Sequence, residues 1–307
     1  MSSSQIKRAH WAVFTTNLLF GINFSIVKYI SPTFVKPFGL NFIRVSVTVA
    51  LLWLLYSLKP SKAGIDKKDI PAFLLCAVTG VAINQLLFIK GLTMSTPIHG
   101  ALLILATPVF ILLIAFVLRL EAITWLKTTG LVLSIGGASL LIVSGKKATS
   151  GDNILLGDLL IVINSVSYAF YYILVKPLMA KYSPVHVLRW VFTFGLLLIT
   201  PFCWQQFAAV QWHSFSVTQY AALAFVVLGA TFFPYLFTVY GLQHLSASTA
   251  GAYIYLQPFF SAIVSVLFFG EELSLYKILA AVLIFAGVYM INKRKEDLPG
   301  KPKPLFE

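Results

Sequence analysis

Ten long apolar runs dominate the chain, and each has the length of a helix that crosses a membrane. Twenty helical residues rise about 30 Å, which is the thickness of the hydrocarbon layer. Only 11% of the residues are charged and the mean hydropathy is +0.88, whereas soluble domains carry about 25% charged residues. The sequence predicts an all-α integral membrane protein with ten transmembrane helices, at residues 10–30, 38–58, 69–90, 96–118, 122–144, 155–176, 184–203, 216–240, 246–269 and 273–292.

The basic residues predict the orientation in the membrane. They are spread over short loops and not gathered on a soluble domain, which favours the positive-inside rule over nucleic-acid binding. On this rule both termini are cytoplasmic, with a short tail at residues 1–9 and a disordered one at 293–307. The first run is longer than a secretory signal core and no A-x-A site follows it, so we interpret it as an uncleaved helix of a cytoplasmic-membrane protein.

The two halves of the chain repeat each other. "GLTMSTPIHGALLILATPVF" (91–110) aligns without a gap with "GLQHLSASTAGAYIYLQPFF" (241–260), at an offset of 241 − 91 = 150. The repeat predicts two five-helix units, over residues 10–144 and 155–292. Five is an odd number, so the units enter the membrane from opposite sides, as in many secondary transporters with a midplane substrate site. The matched pairs include Gly91 with Gly241, Ile104 with Ile254, Pro108 with Pro258, Glu121 with Glu271, and, at slightly smaller offsets, Lys28 with Lys176 and Arg44 with Arg189.

Three stretches carry a resemblance to a known family. They are "LLFGINFSIVK" at 18–28, Arg44 early in the second run, and the block at 248–291 with Pro258 and "GEELS". The chain resembles the ten-helix branch of the drug/metabolite transporter superfamily, which is built from two EamA repeats. The first copy departs from the pattern, because "RLEAIT" at 119–124 lacks the glycine before its glutamate. The resemblance implies a transporter with a central cavity between its halves, in a family whose members mostly export amino acids and other small metabolites.

Two prolines lie near the middle of predicted membrane helices. Pro108 and Pro258 each remove a backbone N–H where lipid offers no replacement. They are either tolerated kinks or breaks that line a cavity, and their relation by the repeat favours breaks. Thr107 and Gln257 directly precede them, and Tyr253 lies one turn before Gln257 on the same face. We expect Gln257, Tyr253 and Thr107 to contact a substrate.

Other polar residues in the runs have two interpretations. Tyr168 and Tyr171, with Tyr172, form a stripe that suits either a substrate site or core packing. Asn23 is a further candidate contact. Asn84 is another, although amides in membrane helices often only bond a neighbouring helix.

The cations form one pair at each predicted entrance. Lys28 and Arg44 lie near the outer helix ends, and Lys176 and Arg189 near the inner ends. They either steer an anionic substrate or bind headgroups and helix C-termini. No Asp or Glu lies deep in a run, which favours facilitated diffusion or exchange over carboxylate-based proton coupling. Glu121 and the matched Glu271 are predicted to position the starts of the fifth and tenth helices.

Together these features predict a secondary transporter that works by alternating access. The expected substrate is an amino acid or related carboxylate, with export as the expected direction. The alternatives are a multidrug or cation efflux carrier and, less favoured, a lipid-modifying membrane enzyme, for which the sequence lacks H-E-x-x-H, paired acids and a Ser/His/Asp cluster. No cofactor, metal site or nucleic-acid partner is predicted. The expected partners are the substrate and the bilayer, for a monomer or weak homodimer.

Overall fold

A computed structural model describes residues 3–58, 64–94, 103–143, 154–269 and 275–292. These residues form a helical bundle and contain no strand. The all-α prediction is confirmed. The helices are α1 Ser3–Ile30, α2 Pro37–Leu58, α3 Ile70–Ala77, α4 Ile83–Met94, α5 Thr107–Val117, α6 Trp125–Val143, α7 Ile154–Lys181, α8 Pro184–Ala208, α9 Val217–Ala224, α10 Phe233–His244, α11 Ala247–Ala252, α12 Leu256–Phe269 and α13 Leu275–Asn292.

Several short irregular segments interrupt the longer helices. Val78–Ala82 joins α3 to α4 and Phe225–Phe232 joins α9 to α10, both as π-helical turns, while the 3-10 turn Tyr253–Tyr255 joins α11 to α12. Every one of the ten predicted runs contains a helix among the described residues. Length and apolar composition alone qualify five stretches as membrane spans: Pro37–Leu58, Lys67–Leu92, Leu155–Lys181, Pro184–Ala208 and Val217–His244. Glu271 and the predicted disordered tail at 293–307 lie outside the described residues.

The two halves, α1–α6 and α7–α13, are interlocked. The most extensive helix contacts all join one half to the other: α6 packs on α13, α2 on α8, α4 on α7 and α1 on α10. The repeat exchanges the last two pairs, because α1 corresponds to α7 and α10 to α4. The core of the bundle is therefore built between the halves and not within each of them.

Close contacts at two glycines confirm the repeat in three dimensions. A Cβ at Gly91 in α4 would lie 2.9 Å from the carbonyl oxygen of Gly157 and would contact Ile161 in α7. A Cβ at its counterpart Gly241 in α10 would likewise overlap the Val13 side chain of α1. Val13 and Ile161 are themselves counterparts, at the same offset that relates Lys28 to Lys176 (176 − 28 = 148). Two equivalent contacts thus occur at opposite ends of the bundle.

The crossing of α6 and α13 is also symmetric. A Cβ at Gly130 would lie 2.7 Å from the carbonyl oxygen of Gly287, and a Cβ at Gly137 would lie 2.8 Å from that of Ala280. The offset of 150 converts the first contact into the second, since it takes Gly130 to Ala280 and Gly137 to Gly287. Gly136 faces open space. Gly130, Gly137 and Gly287 therefore allow α6 and α13 to touch along their backbones.

Glu121, between α5 and α6, binds both halves. Its Oε2 accepts a hydrogen bond from Nζ of Lys127 at 2.9 Å, and its Oε1 accepts one from the backbone N–H of Ser248 at 3.2 Å. The prediction placed this carboxylate at the start of α6, but it also lies at the N-terminus of α11, where first-turn N–H groups lack helical partners. Burial raises the pKa of Glu121, but Lys127 and the Ser248 N–H outweigh this, so that its pKa is below the ordinary value.

We predict that Gly287→Ala destabilises the bundle and Gly136→Ala does not. An added methyl group at Gly287 overlaps Ser134 and the Gly130 carbonyl, and such overpacking typically costs ~1–3 kcal/mol. At Gly136 there is space, and alanine favours a helix by up to about 1 kcal/mol over glycine. Thermal unfolding of both purified variants in detergent is the measurement, and equal shifts for the two would contradict the α6–α13 contact.

We also predict an acid-sensitive contribution from Glu121. Folding lowers its pKa, so its carboxylate stabilises the folded state above the unfolded value of about 4.3, and this stabilisation is lost as the pH falls through the folded pKa. Wild-type protein should therefore lose more thermal stability than Glu121→Gln on acidification below about pH 5. Parallel pH profiles for the two proteins would show that the contact is not stabilising.

Candidate functional site

A cavity of about 110 Å³ lies between the two halves. This is well above the roughly 10–15 Å³ that one water molecule needs, and below the roughly 300–1,000 Å³ of drug-sized pockets. It therefore has the dimensions of a site for a small solute. Its walls consist of Phe20, Asn23, Arg44, Asn84, Gln85, Phe88, Ile104, Thr107, Asn164, Tyr168, Tyr235, Ile254 and Gln257.

The cavity lies where the repeat-related positions of the two halves meet. Gln85 and Tyr235 are counterparts, and Nε2 of Gln85 lies 3.4 Å from the hydroxyl of Tyr235 as a hydrogen-bond donor. A direct contact between equivalent positions occurs only close to the axis that relates the repeats. Eight lining residues form four such pairs: Phe20 with Tyr168, Gln85 with Tyr235, Ile104 with Ile254, and Thr107 with Gln257.

The other lining residues extend the cavity toward one end of the bundle. We call the end that holds the N-terminus of α1 proximal and the opposite end distal. As the chain runs back and forth, Asn23 in α1 and Arg44 in α2 fall in the distal half of the bundle. So do Asn84 and Phe88 in α4 and Asn164 in α7. The cavity thus reaches from the repeat axis toward the distal end.

Helix breaks at the two prolines bring polar side chains to this cavity. The helix α5 begins at Thr107, so Pro108 lies in its first turn, after a tight turn in which the N–H of Ala106 donates to the Leu103 carbonyl at 3.1 Å. The helix α12 begins at Leu256 with Pro258 in its first turn. Proline suits this position because a first-turn residue has no helical acceptor for its N–H.

Gln257 is held in a fixed orientation by α1. Its Nε2 donates to Oδ1 of Asn17 at 2.8 Å, and Nδ2 of Asn17 donates to the Val13 carbonyl at 2.8 Å. Tyr253, in contrast, does not line the cavity, although the sequence predicts it as a substrate contact. Its hydroxyl lies 2.8 Å from Nδ1 of His10 as a hydrogen-bond partner. Sequence reasoning missed His10, because the two residues are 243 positions apart and only the fold brings them together.

A layer of aromatic side chains lies on the proximal side of the cavity. Tyr168 and Tyr235 line the cavity, whereas Tyr171 is fully buried and its ring stacks on Tyr168 with centroids 5.9 Å apart. The Tyr171 ring lies on Gly80, where any Cβ would overlap it. The Tyr235 hydroxyl donates to the Gly80 carbonyl at 3.0 Å. These contacts close the cavity toward the proximal end.

Arg44 lies in the cavity wall and is almost completely buried. Its Nε donates to Oγ1 of Thr231 at 2.8 Å, and its Nη2 donates to the carbonyl of Ala230 at 3.4 Å. Both partners belong to the π-helical turn Phe225–Phe232. These bonds use two of the five N–H groups of a guanidinium. Among the described residues no carboxylate pairs with Arg44.

Two of the other predicted entrance cations, Arg189 and Lys176, lie away from the cavity. Arg189, the counterpart of Arg44, is buried with its guanidinium 3.9 Å from the ring centroid of Tyr56 and 4.8 Å from that of Trp53. Lys176 donates to the carbonyl of Leu245, at the C-terminus of α10, as a cation does at a negative helix end. The side chain of Lys28 lies outside the described residues.

Two amide oxygens in the cavity have no hydrogen-bond partner among the described residues. They are Oδ1 of Asn23 and Oε1 of Gln85. Asn84 contributes through its backbone as well, because its carbonyl accepts from Nδ2 of Asn164 at 2.6 Å. The repeat reproduces this bond on the other side of the axis, where Oγ1 of Thr16 donates to the Pro234 carbonyl at 3.2 Å. Both oxygens therefore belong to lining residues and lack a donor among the described residues.

A wider groove of about 510 Å³ lies on the side of the bundle between α1, α8 and α10. Its lining is mostly apolar, from residues such as Trp11 and Phe237, and Arg8 is its one charged residue. Exposed apolar surface is expected where helices face lipid. We therefore take the internal cavity as the candidate site.

Similarity to known proteins identifies the family of this chain. Residues 7–143 and 155–293 each match the EamA-like transporter family. The chain belongs to this family. The predicted membership of the drug/metabolite transporter superfamily is confirmed.

Similar proteins carry transporter names. One is an "Uncharacterized transporter" of Archaeoglobus fulgidus, 24% identical over 95% of this chain and 99% of its own length. Another, from Streptantibioticus cattleyicolor, is named "Probable terminal-alkyne amino-acid exporter" and is 29% identical over 74% of each chain. A solved crystal structure superimposes with a TM-score of 0.77 at 16% identity, over 92% of this chain and 96% of that one. The protein is thus a multi-pass membrane transporter and not an enzyme.

We predict that Asn17 and Gln257 stabilise the bundle jointly. Their hydrogen bond joins α1 to α12, and such bonds in membrane proteins contribute about 0.6 kcal/mol on average. In a double-mutant cycle, Asn17→Ala and Gln257→Ala should therefore be non-additive by roughly that amount. Asn17→Ala with Thr107→Ala is the matched control, because Thr107, the repeat counterpart of Gln257, makes no hydrogen bond to Asn17 among the described residues. Additivity in both cycles would contradict the contact.

Proposed function

We propose that this transporter moves a small metabolite that carries a carboxylate, namely an amino acid, by alternating access through the cavity between its halves. Arg44 is the observation that carries the proposal. A guanidinium buried in a membrane protein needs an anionic or strongly polar partner, and this one is bonded only to a hydroxyl and a carbonyl among the described residues. Its remaining N–H groups form a fork that fits a carboxylate.

The two free amide oxygens support an amino acid over a simple acid. Asn23 Oδ1 and Gln85 Oε1 line the same cavity as Arg44 and lack partners among the described residues. A buried acceptor without a donor costs free energy, typically ~1–3 kcal/mol. An ammonium group has three N–H donors and no acceptor, so it complements these oxygens while the carboxylate binds Arg44.

The remaining wall supports a partly apolar solute. Phe20, Phe88 and Ile254 contribute apolar surface beside the polar groups. The walls contain no Asp, Glu or His among the described residues, which supports facilitated diffusion or exchange without a titrating carboxylate. The name of the Streptantibioticus relative agrees with an amino-acid substrate and with export. We propose that export across the cytoplasmic membrane is the physiological direction, with both termini in the cytoplasm.

Transport in proteoliposomes tests the proposal. We expect radiolabelled leucine or another apolar amino acid to show saturable flux, and the corresponding amine without a carboxylate to fail as a competitor. Arg44→Gln should weaken half-saturation about tenfold or more, since a charged hydrogen bond is lost, whereas Arg44→Lys should retain part of it. Arg119→Gln is the control, because Arg119 lies in the turn after α5, away from the cavity.

Three results would each overturn a part of the proposal. Competition by hydrophobic cations, with amino acids inactive, would favour the alternative of cation efflux, in which the aromatic walls bind the positive charge. Equal kinetics of Arg44→Gln and wild type would remove the role of Arg44. In the same vesicles, accumulation of solute driven by an imposed pH gradient would contradict transport without proton coupling.

A further inference from the structure

The lining of the cavity is only partly symmetric. Four pairs of repeat-related residues line it near the axis, and five further lining residues lie toward the distal end. Each of these five has a counterpart in the other repeat. Asn23 corresponds to Tyr171, Arg44 to Arg189, Asn84 to Pro234, Phe88 to Thr238 and Asn164 to Thr16.

The five counterparts all lie in the proximal half, and all are buried. None of them lines the cavity. They nevertheless include polar groups that a closed core does not require. The hydroxyl of Tyr171 is buried without a hydrogen-bond partner among the described residues. Arg189 brings a full charge into the bundle and places it on neutral aromatic rings.

We propose that Thr16, Tyr171, Arg189, Pro234 and Thr238 form a second cavity wall, exposed at the proximal end when the distal end closes. We call these five residues the second wall. This inference rests on the proposed function, because only a protein that alternates between two openings needs such a wall. Two like repeats that exchange conformations would expose in one state the residues whose counterparts are exposed in the other.

The packing around Arg189 has the symmetry that this exchange requires. Arg44 is bonded to Ala230 and Thr231 in the π-helical turn of the second half. The counterparts of these two residues are Gly80 and Val81, in the π-helical turn of the first half. The helix of Arg189, α8, already packs on that turn, because a Cβ at Gly195 would lie 2.6 Å from Val81. In the same helix contact Gly80 offers a backbone carbonyl equivalent to that of Ala230, whereas Val81 lacks the hydroxyl of Thr231.

Arg189 would then be the second contact for the anionic group of the substrate. In the present structure its guanidinium is held by Tyr56, Trp53 and the Nδ1 atom of His186, 3.1 Å from Nη2. Cation–π contacts contribute roughly 0.5–2 kcal/mol each, so the two rings help to hold the guanidinium in its present position. The substrate's carboxylate would thus be bound by Arg44 from the distal side and by Arg189 from the proximal side.

Within the second wall, Tyr171 is the residue whose ring contacts the lining of the cavity. Its ring fills the space over Gly80 and stacks on Tyr168, which itself lines the cavity. Its counterpart Asn23 is smaller and lines the cavity. Movement of the Tyr171 ring away from Gly80 would open the proximal side and bring its unpaired hydroxyl into water or onto the solute.

Thiol accessibility tests the second wall without a known substrate. Single cysteines at Thr16 and Thr238 are placed in the full-length chain after Cys76→Ala and Cys203→Ala, and are treated with a membrane-impermeant methanethiosulfonate in membrane vesicles of both orientations. We expect both to react from the proximal side at least about tenfold faster than Val239→Cys, a matched control in the packed core. Asn23→Cys should react from the distal side, and Tyr171→Ala should accelerate the reaction at Thr238→Cys.

Reagent charge tests Arg189. If the guanidinium of Arg189 turns toward the other four residues of the second wall, an anionic reagent reacts with Thr238→Cys faster than a cationic one. Arg189→Gln then removes the preference. If Arg189 stays on Trp53 and Tyr56, the substitution changes neither rate, and its proposed role is wrong. Arg44→Gln with Asn23→Cys provides the matched comparison on the distal side.

Different failures have different meanings. If Thr16→Cys and Thr238→Cys react no faster than Val239→Cys while Asn23→Cys reacts, the second wall does not exist and the proposed substrate site is unaffected. If Asn23→Cys is also unreactive from either side, the cavity is not open to solutes, and the proposed function fails together with this inference.

Discussion

Close backbone contact between the two halves is the interaction on which this structure depends. Helices in lipid gain little from burying apolar side chains against each other, because lipid tails are equally apolar. Association therefore needs close approach, and here Gly91, Gly241 and the glycines of α6 and α13 provide it. These contacts occur as symmetric pairs across the repeat axis. The same packing that holds the helices together therefore also determines where the axis, and with it the cavity, lies.

Irregular backbone occurs where the packing leaves space for polar groups. A carbonyl released from its helix inside a membrane must find another donor. The π-helical turn Phe225–Phe232 satisfies this condition through Arg44, and the turn Val78–Ala82 through the hydroxyl of Tyr235. The interruptions before Pro108 and Pro258 likewise lie beside the cavity. Polar side chains of the cavity wall thus bind the backbone carbonyls that the irregular segments release.

The sequence predicted what local patterns and internal similarity determine. Apolar runs predicted the helices, the offset of 150 predicted the repeat, and the polar residues beside the prolines, Thr107 and Gln257, line the cavity. It could not separate Arg44 from Arg189, because equivalent positions in two repeats have different environments in any one state. The contacts of Tyr253 with His10 and of Glu121 with Ser248 join residues more than a hundred positions apart. No local pattern encodes such pairs.

The interlocked halves have a consequence for how the protein is made. The principal partners of α1, α2, α4 and α6 all belong to the second half. When the ribosome has produced only the first five spans, the grooves at Gly91 and Gly130 face lipid and have no helix to fill them. Assembly of the bundle therefore waits for α7, α8, α10 and α13 to enter the membrane. A chain truncated after α6 would leave the surfaces around Gly91 and Gly130 without their partner helices and exposed to other membrane helices.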